Sequence, residues 1–145
     1  MAFMRWSDHI AVMEFYGIIR GGPAIKPYLE LLSRLTISPR VKAVVLDIDS
    51  PGGAAGASHY IHQSVARLAE HKPVVAFIRE IGASGGYLAS AGATRIVAFP
   101  SSIVGSIGVL SLRPIVQGLL QKLGIEMSVT KSGRLKDMGA FYREQ

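Results

Sequence analysis

The sequence predicts an α/β domain with a largely parallel sheet, and three observations support this prediction. Short β-branched or apolar runs alternate along the chain with segments whose apolar residues recur at helical spacing. The connectors between these segments are short, as in strand–helix–strand units. The run from Val41 to Asp49 is almost continuously apolar, which is typical of a parallel strand covered on both faces.

The first half of the chain contains two predicted strands and two predicted helices. Each strand is a short apolar run that ends at a turn rich in glycine, proline or serine. Each helix has apolar residues three and four positions apart and is followed by a proline as a stop signal. In order, the predictions are a strand over 10–15, a helix over 25–35, a strand over 41–49 and a helix over 57–68.

The second half continues the same alternation. Small residues between Gly82 and Ala93 predict a turn that leads into a short, tightly packed helix. A later helix has Pro114 near its start and Gly124 just after its end, which is the usual placement of these two residue types. The other predictions are a strand over 74–78, a strand over 95–99, a helix over 114–123 and a final strand over 126–130.

The composition excludes several classes of protein. The 145 residues suffice for one domain, predicted over 1–145, and the lack of cysteine excludes a disulfide scaffold, a thiolate nucleophile and a cysteine-based metal site. The net charge of +6 comes from dispersed side chains, so no nucleic-acid partner is expected. No apolar stretch approaches the roughly 18–20 residues of a transmembrane segment, so the chain as written is expected to be soluble.

Two glycine-rich loops follow predicted strands, where an α/β domain carries its functional groups. The loop at 49–53 lets backbone N–H groups approach a ligand, but Gly52, Gly53 and Gly56 lack the G-x-G-x-x-G spacing of a dinucleotide site. The segment 82–86 matches G-x-S-x-G, the form of a nucleophile elbow that exposes a serine on a sharp strand-to-helix turn. Each loop is also compatible with a turn whose glycines serve packing alone.

A nucleophile at Ser84 needs a base, and all four histidines of the chain precede it. A lysine can serve when its pKa falls from about 10.4 toward 7–8, which requires desolvation or neighbouring positive charge. The downstream candidates are Lys122, Lys131 and Lys136, of which the last two share a basic segment with Arg134. From composition alone, a solvated basic tail remains the alternative.

Four segments carry a stronger signal together than any of them does alone. They are Ser50–Gly53, Ala83–Ala91, Val104–Val109 and Lys131–Asp137. In this order they resemble the SppA-type signal peptide peptidases, which are serine/lysine-dyad peptidases with the ClpP/crotonase fold. The similarity covers essentially the whole chain, including the strand that begins near Ile10.

The resemblance implies a serine endopeptidase. Ser84 would be the nucleophile that forms an acyl-enzyme, and Lys136, which lies 52 residues later, would be its general base. The remaining implied roles are orientation of the lysine amine by Ser106 and an oxyanion hole made by the N–H of Gly85 with that of Gly52 or Gly53. No cofactor and no metal are implied.

The resemblance also implies substrates and partners. The expected substrates are peptides, including remnant signal peptides and other apolar segments, and the expected assembly is a homo-oligomeric ring in which a neighbouring subunit can supply the lysine. Family members usually carry an N-terminal membrane anchor, with the catalytic domain outside the cytoplasm, and further helical sequence after the lysine. Because only nine residues follow Lys136 here, the chain is expected to correspond to the catalytic core alone.

Two other functions remain open from the sequence. The chain could be a non-catalytic peptide-binding or assembly core with the same fold. A crotonase-like acyl-CoA enzyme would share the fold and the oxyanion geometry, but it would leave the paired Ser84 and Lys136 segments unexplained.

Overall fold

The computed structural model describes residues 7–143. The chain divides into two compact units, residues 1–109 and residues 110–145. The first unit is built on a parallel sheet with helices, and the second contains one short helix among turns. The single domain expected over 1–145 stays a prediction.

The sheet of the first unit has five strands, and all of its pairings are parallel. Four strands lie in the order β1-β2-β3-β4, and β5 pairs with the end of β3. This confirms the predicted parallel sheet. The strands are β1 (His9–Tyr16), β2 (Val41–Ser50), β3 (Val74–Ala83), β4 (Arg95–Ala98) and β5 (Ile103–Gly105).

The helices of the first unit connect consecutive strands, as the alternating sequence pattern predicts. A short 3₁₀ helix, Gly22–Ile25, leads directly into the first α-helix. The second unit contains a single six-residue helix within its described part. The α-helices are α1 (Lys26–Ile37), α2 (Ala55–His71), α3 (Gly85–Ser90) and α4 (Gln117–Lys122).

The apolar core lies between one face of the sheet and the helices of the first unit. Alternate residues of β2 and β3, such as Ile48 and Ile78, are fully buried on this face. Leu32 of α1 and Leu68 of α2 belong to the same buried cluster, because each helix presents an apolar stripe to the sheet. The core therefore fixes the strands whose carboxyl ends carry both glycine-rich loops.

An ion pair links β2 and β3 on the other face of the sheet. Asp47 is buried and accepts two hydrogen bonds from Arg79, from Nε and Nη2, each at 2.6 Å. The Tyr16 hydroxyl donates to the same carboxylate at 2.7 Å. The hydrogen bonds from Arg79 hold the pKa of Asp47 below its ordinary value, and the bond to Asp47 raises the pKa of Tyr16. Arg79 lies between the part of β3 that pairs with β4, which ends at Ile78, and the part that pairs with β5, which begins at Ile81.

Two predictions for the second half of the chain were wrong. Residues 126–130 form no strand, because the described part of the second unit offers no other strand with which they could form a ladder. The helix predicted over 114–123 is shorter and includes only Gln117–Lys122. The three-residue strand β5 was missed because it is defined by its pairing with β3 and not by its own composition.

Candidate active site

Ser84 occupies the turn between β3 and α3. The strand ends at Ala83 and the helix begins at Gly85, so one residue must reverse the chain direction. Ser84 does so with φ 50° and ψ −117°, a conformation that non-glycine residues rarely adopt. Its side chain is half-buried and makes no capping hydrogen bond to the helix. This is the geometry expected of a nucleophile elbow.

The glycines after Ser84 allow α3 to pack closely on the loop that follows β2. A Cβ atom on Gly85 would collide with Oγ of Ser58, and one on Gly86 would lie 2.5 Å from the carbonyl oxygen of Ser50. Both glycines are buried. The two glycines of the Gly82–Gly86 motif that follow Ser84 are therefore required by packing as well as by the turn.

The loop after β2 lies directly against the Ser84 turn. Gly52 has φ +93°, and a Cβ atom there would lie 2.6 Å from the backbone nitrogen of Gly85 and 2.9 Å from Cβ of Ser84. The N–H of Gly52 donates to Oγ of Ser50 at 3.2 Å. Within residues 7–143, the N–H groups of Gly53 and Gly85 have no hydrogen-bond acceptor. These two N–H groups are thus unpaired within the described chain.

Ser50 is a supporting residue to which sequence reasoning gave no separate role. Its Oγ donates to the carbonyl oxygen of Gly17 at 2.6 Å and accepts the N–H of Gly52. It is fully buried, so these two bonds fix the start of the glycine loop. A serine directly before the Pro-Gly-Gly turn was the sequence signal that could have identified it.

Ser106 directly follows β5, the strand that pairs with the end of β3 before Ser84. Gly105 of β5 pairs with Ala83, and its carbonyl oxygen accepts the Ser84 N–H at 2.7 Å. Ser106 is exposed and has φ 52°, and it and Ser84 are the two non-glycine residues with positive φ in the described chain. Both irregular serines therefore follow the ends of paired strands.

Lys136 lies in the second unit. Its side chain is exposed, its backbone N–H donates to the carbonyl oxygen of Gly133 at 3.2 Å, and its Nζ has no hydrogen-bond or ion-pair partner among residues 7–143. Lys131 differs, because its Nζ donates to Oδ1 of Asp137 at 2.6 Å and to the carbonyl oxygen of Arg134 at 3.1 Å. Of the two lysines in the basic segment, Lys136 is the one whose amine is not engaged.

Asp137 connects the two ends of the segment that contains Lys136. In addition to Lys131, the carboxylate accepts hydrogen bonds from Nε of Arg143 at 2.9 Å and from its Nη2 at 3.0 Å. The hydrogen bonds from Arg143 and then Lys131 hold the pKa of Asp137 far below its ordinary value. The sequence did not indicate this network. The Asp137 carboxylate neutralises part of the positive charge near Lys136, because it pairs with both Lys131 and Arg143.

The histidines take part in local structure. The Nδ1 atom of His62 lies 2.9 Å from the carbonyl oxygen of Leu88, which links α2 to α3, and Nδ1 of His71 lies 2.8 Å from the carbonyl oxygen of Arg67. No histidine ring bonds to Ser84 in the described chain, and no three His, Asp or Glu side chains of residues 7–143 are grouped as metal ligands. The first unit thus brings together Ser84, Gly85, Gly52, Gly53 and Ser106.

One known family model matches more than half of the chain. The model of peptidase family S49 matches residues 66–145, the range that contains Ser84, Ser106 and Lys136. The chain belongs to peptidase family S49. This confirms the resemblance to SppA-type peptidases inferred from the four motifs.

Individual relatives agree with the S49 assignment. A Methanocaldococcus jannaschii protein named as a protease is 44% identical over 116 residues, which cover 80% of this chain and 37% of that protein. The chloroplast serine protease SPPA of Arabidopsis thaliana is 33% identical over 141 residues, which cover 90% of this chain and 21% of that protein. The S49 chain therefore spans less than half the length of either relative.

Two solved structures share the fold of the S49 chain. A membrane-bound stomatin-specific protease is 22% identical with a TM-score of 0.56 and covers 77% of this chain and 51% of its own. An enoyl-CoA hydratase/isomerase family member is 19% identical with the same TM-score of 0.56 and covers 83% of this chain and 51% of its own. These similarities confirm the ClpP/crotonase-like fold.

No helix within residues 7–143 combines the length and the apolar character needed to cross a lipid bilayer.

Proposed function

We propose that this S49 chain is the catalytic core of a serine endopeptidase that uses a Ser84/Lys136 dyad on peptide substrates. The observation that carries the proposal is the strained turn at Ser84, whose side chain is half-buried and free of a capping bond beside two available N–H groups. Backbone strain of this kind costs about 1–3 kcal/mol and is typical of functional sites. A turn that served packing alone would accommodate glycine at this position at lower cost.

The proposed reaction proceeds through an acyl-enzyme. Oγ of Ser84 attacks the carbonyl carbon of the scissile peptide while its proton passes to Nζ of Lys136. The tetrahedral oxyanion accepts hydrogen bonds from the N–H groups of Gly53 and Gly85. The carbon–nitrogen bond then breaks, and the lysine returns the proton to the leaving amine. Water, deprotonated by the same lysine, attacks the ester carbonyl; the bond from the carbonyl carbon to Oγ breaks, and the lysine returns the proton to Oγ as the carboxylic acid product leaves.

The N–H of Gly53 is preferred to that of Gly52 in this proposal. The Gly52 N–H already donates to Oγ of Ser50, whereas the Gly53 N–H has no acceptor within residues 7–143. Ser106 is proposed to orient the lysine amine, because it follows the strand that accepts the Ser84 N–H. The proposed substrates are peptides with apolar residues, including remnant signal peptides.

Labelling with a fluorophosphonate tests the nucleophile. We expect covalent labelling of the wild-type chain and no labelling of Ser84→Ala, whereas Ser101→Ala, which removes an exposed serine of the first unit, should be labelled normally. On a fluorogenic apolar peptide, Ser84→Ala should lower kcat by about 10⁴-fold or more. Labelling or turnover that survives in Ser84→Ala would refute the proposal.

The general base is tested with matched lysine variants. Lys136→Ala should abolish peptide turnover with an unchanged circular dichroism spectrum, and Lys122→Ala, which removes an exposed lysine from α4, should retain the wild-type rate. An active Lys136→Ala would assign the base to another residue.

A mixing experiment determines which subunit supplies the lysine in the proposed ring. Ser84→Ala and Lys136→Ala chains are each inactive in the proposal, but together they contain one intact nucleophile and one intact base. Recovery of activity on mixing would mean that Lys136 acts on the Ser84 of a neighbouring copy. No recovery, with mixed oligomers demonstrated by native mass spectrometry, would mean that both groups act within one chain.

A further inference from the structure

A cavity of about 410 Å³ opens in the first unit beside the segment that follows β1. Its wall is formed by buried apolar side chains, and exposed residues of the same segment surround the mouth. The volume lies within the range of small-molecule and side-chain pockets, which extends from about 300 to 1,000 Å³. The buried wall residues are Phe15, Ile19, Ile25 and Ile61.

Ile19 connects this cavity to the candidate active site. Its N–H donates to the carbonyl oxygen of Gly52 at 2.8 Å, and its carbonyl oxygen accepts the N–H of Ala54 at 2.8 Å. Its Cδ1 atom would lie only 3.1 Å from a Cβ atom on Gly85, the residue next to Ser84. One residue therefore forms part of the cavity wall and contacts both sides of the proposed oxyanion hole.

Arg20 gives the cavity a charge. It is exposed, it lines the cavity, and it has no ion-pair or hydrogen-bond partner within residues 7–143. The other polar groups in the lining are tyrosine hydroxyls, and that of Tyr16 is engaged by Asp47. An unpaired guanidinium at the edge of an apolar cavity is a recognition group for a carboxylate, which it can bind through two parallel hydrogen bonds.

We propose that this cavity is a substrate pocket that takes a large apolar side chain, and that Arg20 binds an acidic group adjacent to that side chain in the same peptide. The proposal rests on the peptidase function proposed above and adds a sequence preference to it. The apolar wall excludes a charged side chain from the interior, because burying an unpaired charge there is costly. Arg20 favours acidic over basic residues at the neighbouring position through charge alone.

Two sets of matched peptides test the preference. In the first, the side chain near the scissile bond is Ala, Leu or Phe; in the second, a neighbouring residue is Glu, Gln or Lys. For the wild-type chain we expect kcat/KM to rise from Ala to Phe and to be about 10-fold higher for Glu than for Lys, the size of one charge-assisted hydrogen bond. Equal rates across both sets would overturn the proposal.

Variants of the mouth separate the apolar and the charged contributions. Ala24→Trp places a large ring in the cavity lining and should lower kcat/KM for the Phe peptide at least about 10-fold more than for the Ala peptide. Arg20→Glu should reverse the preference, so that the Lys peptide becomes the better substrate. Arg95→Gln, which removes an exposed arginine of β4 outside the cavity, should keep the wild-type preferences.

Fluorophosphonate labelling of Ser84 in the wild-type chain distinguishes the two proposals. If the wild-type chain is not labelled, the peptidase proposal itself fails. If it is labelled and cleaves peptides, but Arg20→Glu keeps the preference for Glu, only the pocket proposal fails. A reversed preference cannot result from partial misfolding, since misfolding lowers the rate for every peptide.

Discussion

In the first unit the buried side chains are mainly apolar and come from the sheet and its helices, whereas no residue of the described part of the second unit is buried. Ser84 is therefore held by packing, through glycines that leave no room for a side chain. The segment around Lys136 is held by hydrogen-bonded charges at Asp137. The proposed nucleophile should therefore be sensitive to added side-chain volume, and the placement of the proposed base should be sensitive to salt.

The largest effect is expected from added volume beside Ser84. A Cβ atom in Gly85→Ala would collide with Ser58, so α3 must shift together with Ser84 and the Gly85 N–H. A displacement of about 1 Å at a reacting group can lower the rate about 10²-fold, and we expect a loss of kcat/KM of at least that size. Steady-state kinetics measure the loss of kcat/KM, and thermal unfolding of the purified chain measures any accompanying loss of stability.

Gly56→Ala is the matched control for Gly85→Ala. Gly56 lies in α2, and a Cβ atom added there would meet nothing within 4 Å, so alanine should leave the rate unchanged and slightly raise stability. If Gly85→Ala were as active as Gly56→Ala, tight packing would not be what positions Ser84.

The one buried ion pair of the described sheet, between Asp47 and Arg79, should affect stability less than added volume affects activity. Asp47→Asn should lower the free energy of unfolding by about 1–2 kcal/mol, because Arg79 is half exposed and can turn to water. Arg79→Met should be more destabilising, since it leaves the buried carboxylate without its cation. Urea denaturation of both variants gives the order, and the reverse order would mean that Tyr16 alone satisfies Asp47.

Acid dependence provides a further check of the same pair. Because the folded-state pKa of Asp47 is below its ordinary value, its contribution to stability is present above about pH 4 and is lost as the pH falls through the folded value. Wild-type stability should therefore fall below about pH 4 more steeply than that of Asp47→Asn. Parallel pH profiles would show that other carboxylates dominate the acid transition.

The charged network around Asp137 in the second unit should control where Lys136 lies. Asp137→Asn removes the negative charge and one of the two oxygens that accept hydrogen bonds from Lys131 and Arg143, so the cross-link of the segment that contains Lys136 is weakened. We expect kcat to fall by at least about 10-fold, with a smaller change in KM, because the base is misplaced and the peptide contacts are unchanged. Glu126→Gln, which neutralises an exposed acid of the same unit, is the control.

Salt should reproduce part of the Asp137 effect in the wild-type chain. At about 1 M salt the screening length is about 3 Å, so ion pairs near the surface are weakened, whereas the apolar packing around Ser84 is not. Peptide turnover should fall, and fluorophosphonate labelling of Ser84 should slow with it because both need the base, while the circular dichroism spectrum of the chain stays unchanged. A spectrum that changed together with turnover would mean that the two regions do not differ in the forces that hold them.

The sequence predicted the first unit well because its signals are local. Apolar periodicity and glycine-rich turns predicted four of the five strands and the turn at Ser84, and the packing around Gly85 explains why those glycines are needed. The strand β5 and the Asp47–Arg79 pair were missed because each depends on which distant residues become neighbours. In the second unit, the alternating pattern at 126–130 lacked a partner strand, so periodicity alone predicted too much structure.

The smallest effect is expected at Gly118 in α4. A side-chain carbon there would meet nothing within 4 Å, and the helix has no buried residue, so volume should not matter. Gly118→Ala should raise the free energy of unfolding by at most about 1 kcal/mol, through helix propensity, and leave peptide turnover unchanged. Chemical denaturation measures the free energy of unfolding, and kinetics at low protein concentration measure peptide turnover. If the variant instead lost activity or changed its oligomeric state, this face of α4 would have to pack against another copy of the chain, and the second unit would be held by packing as well as by charge.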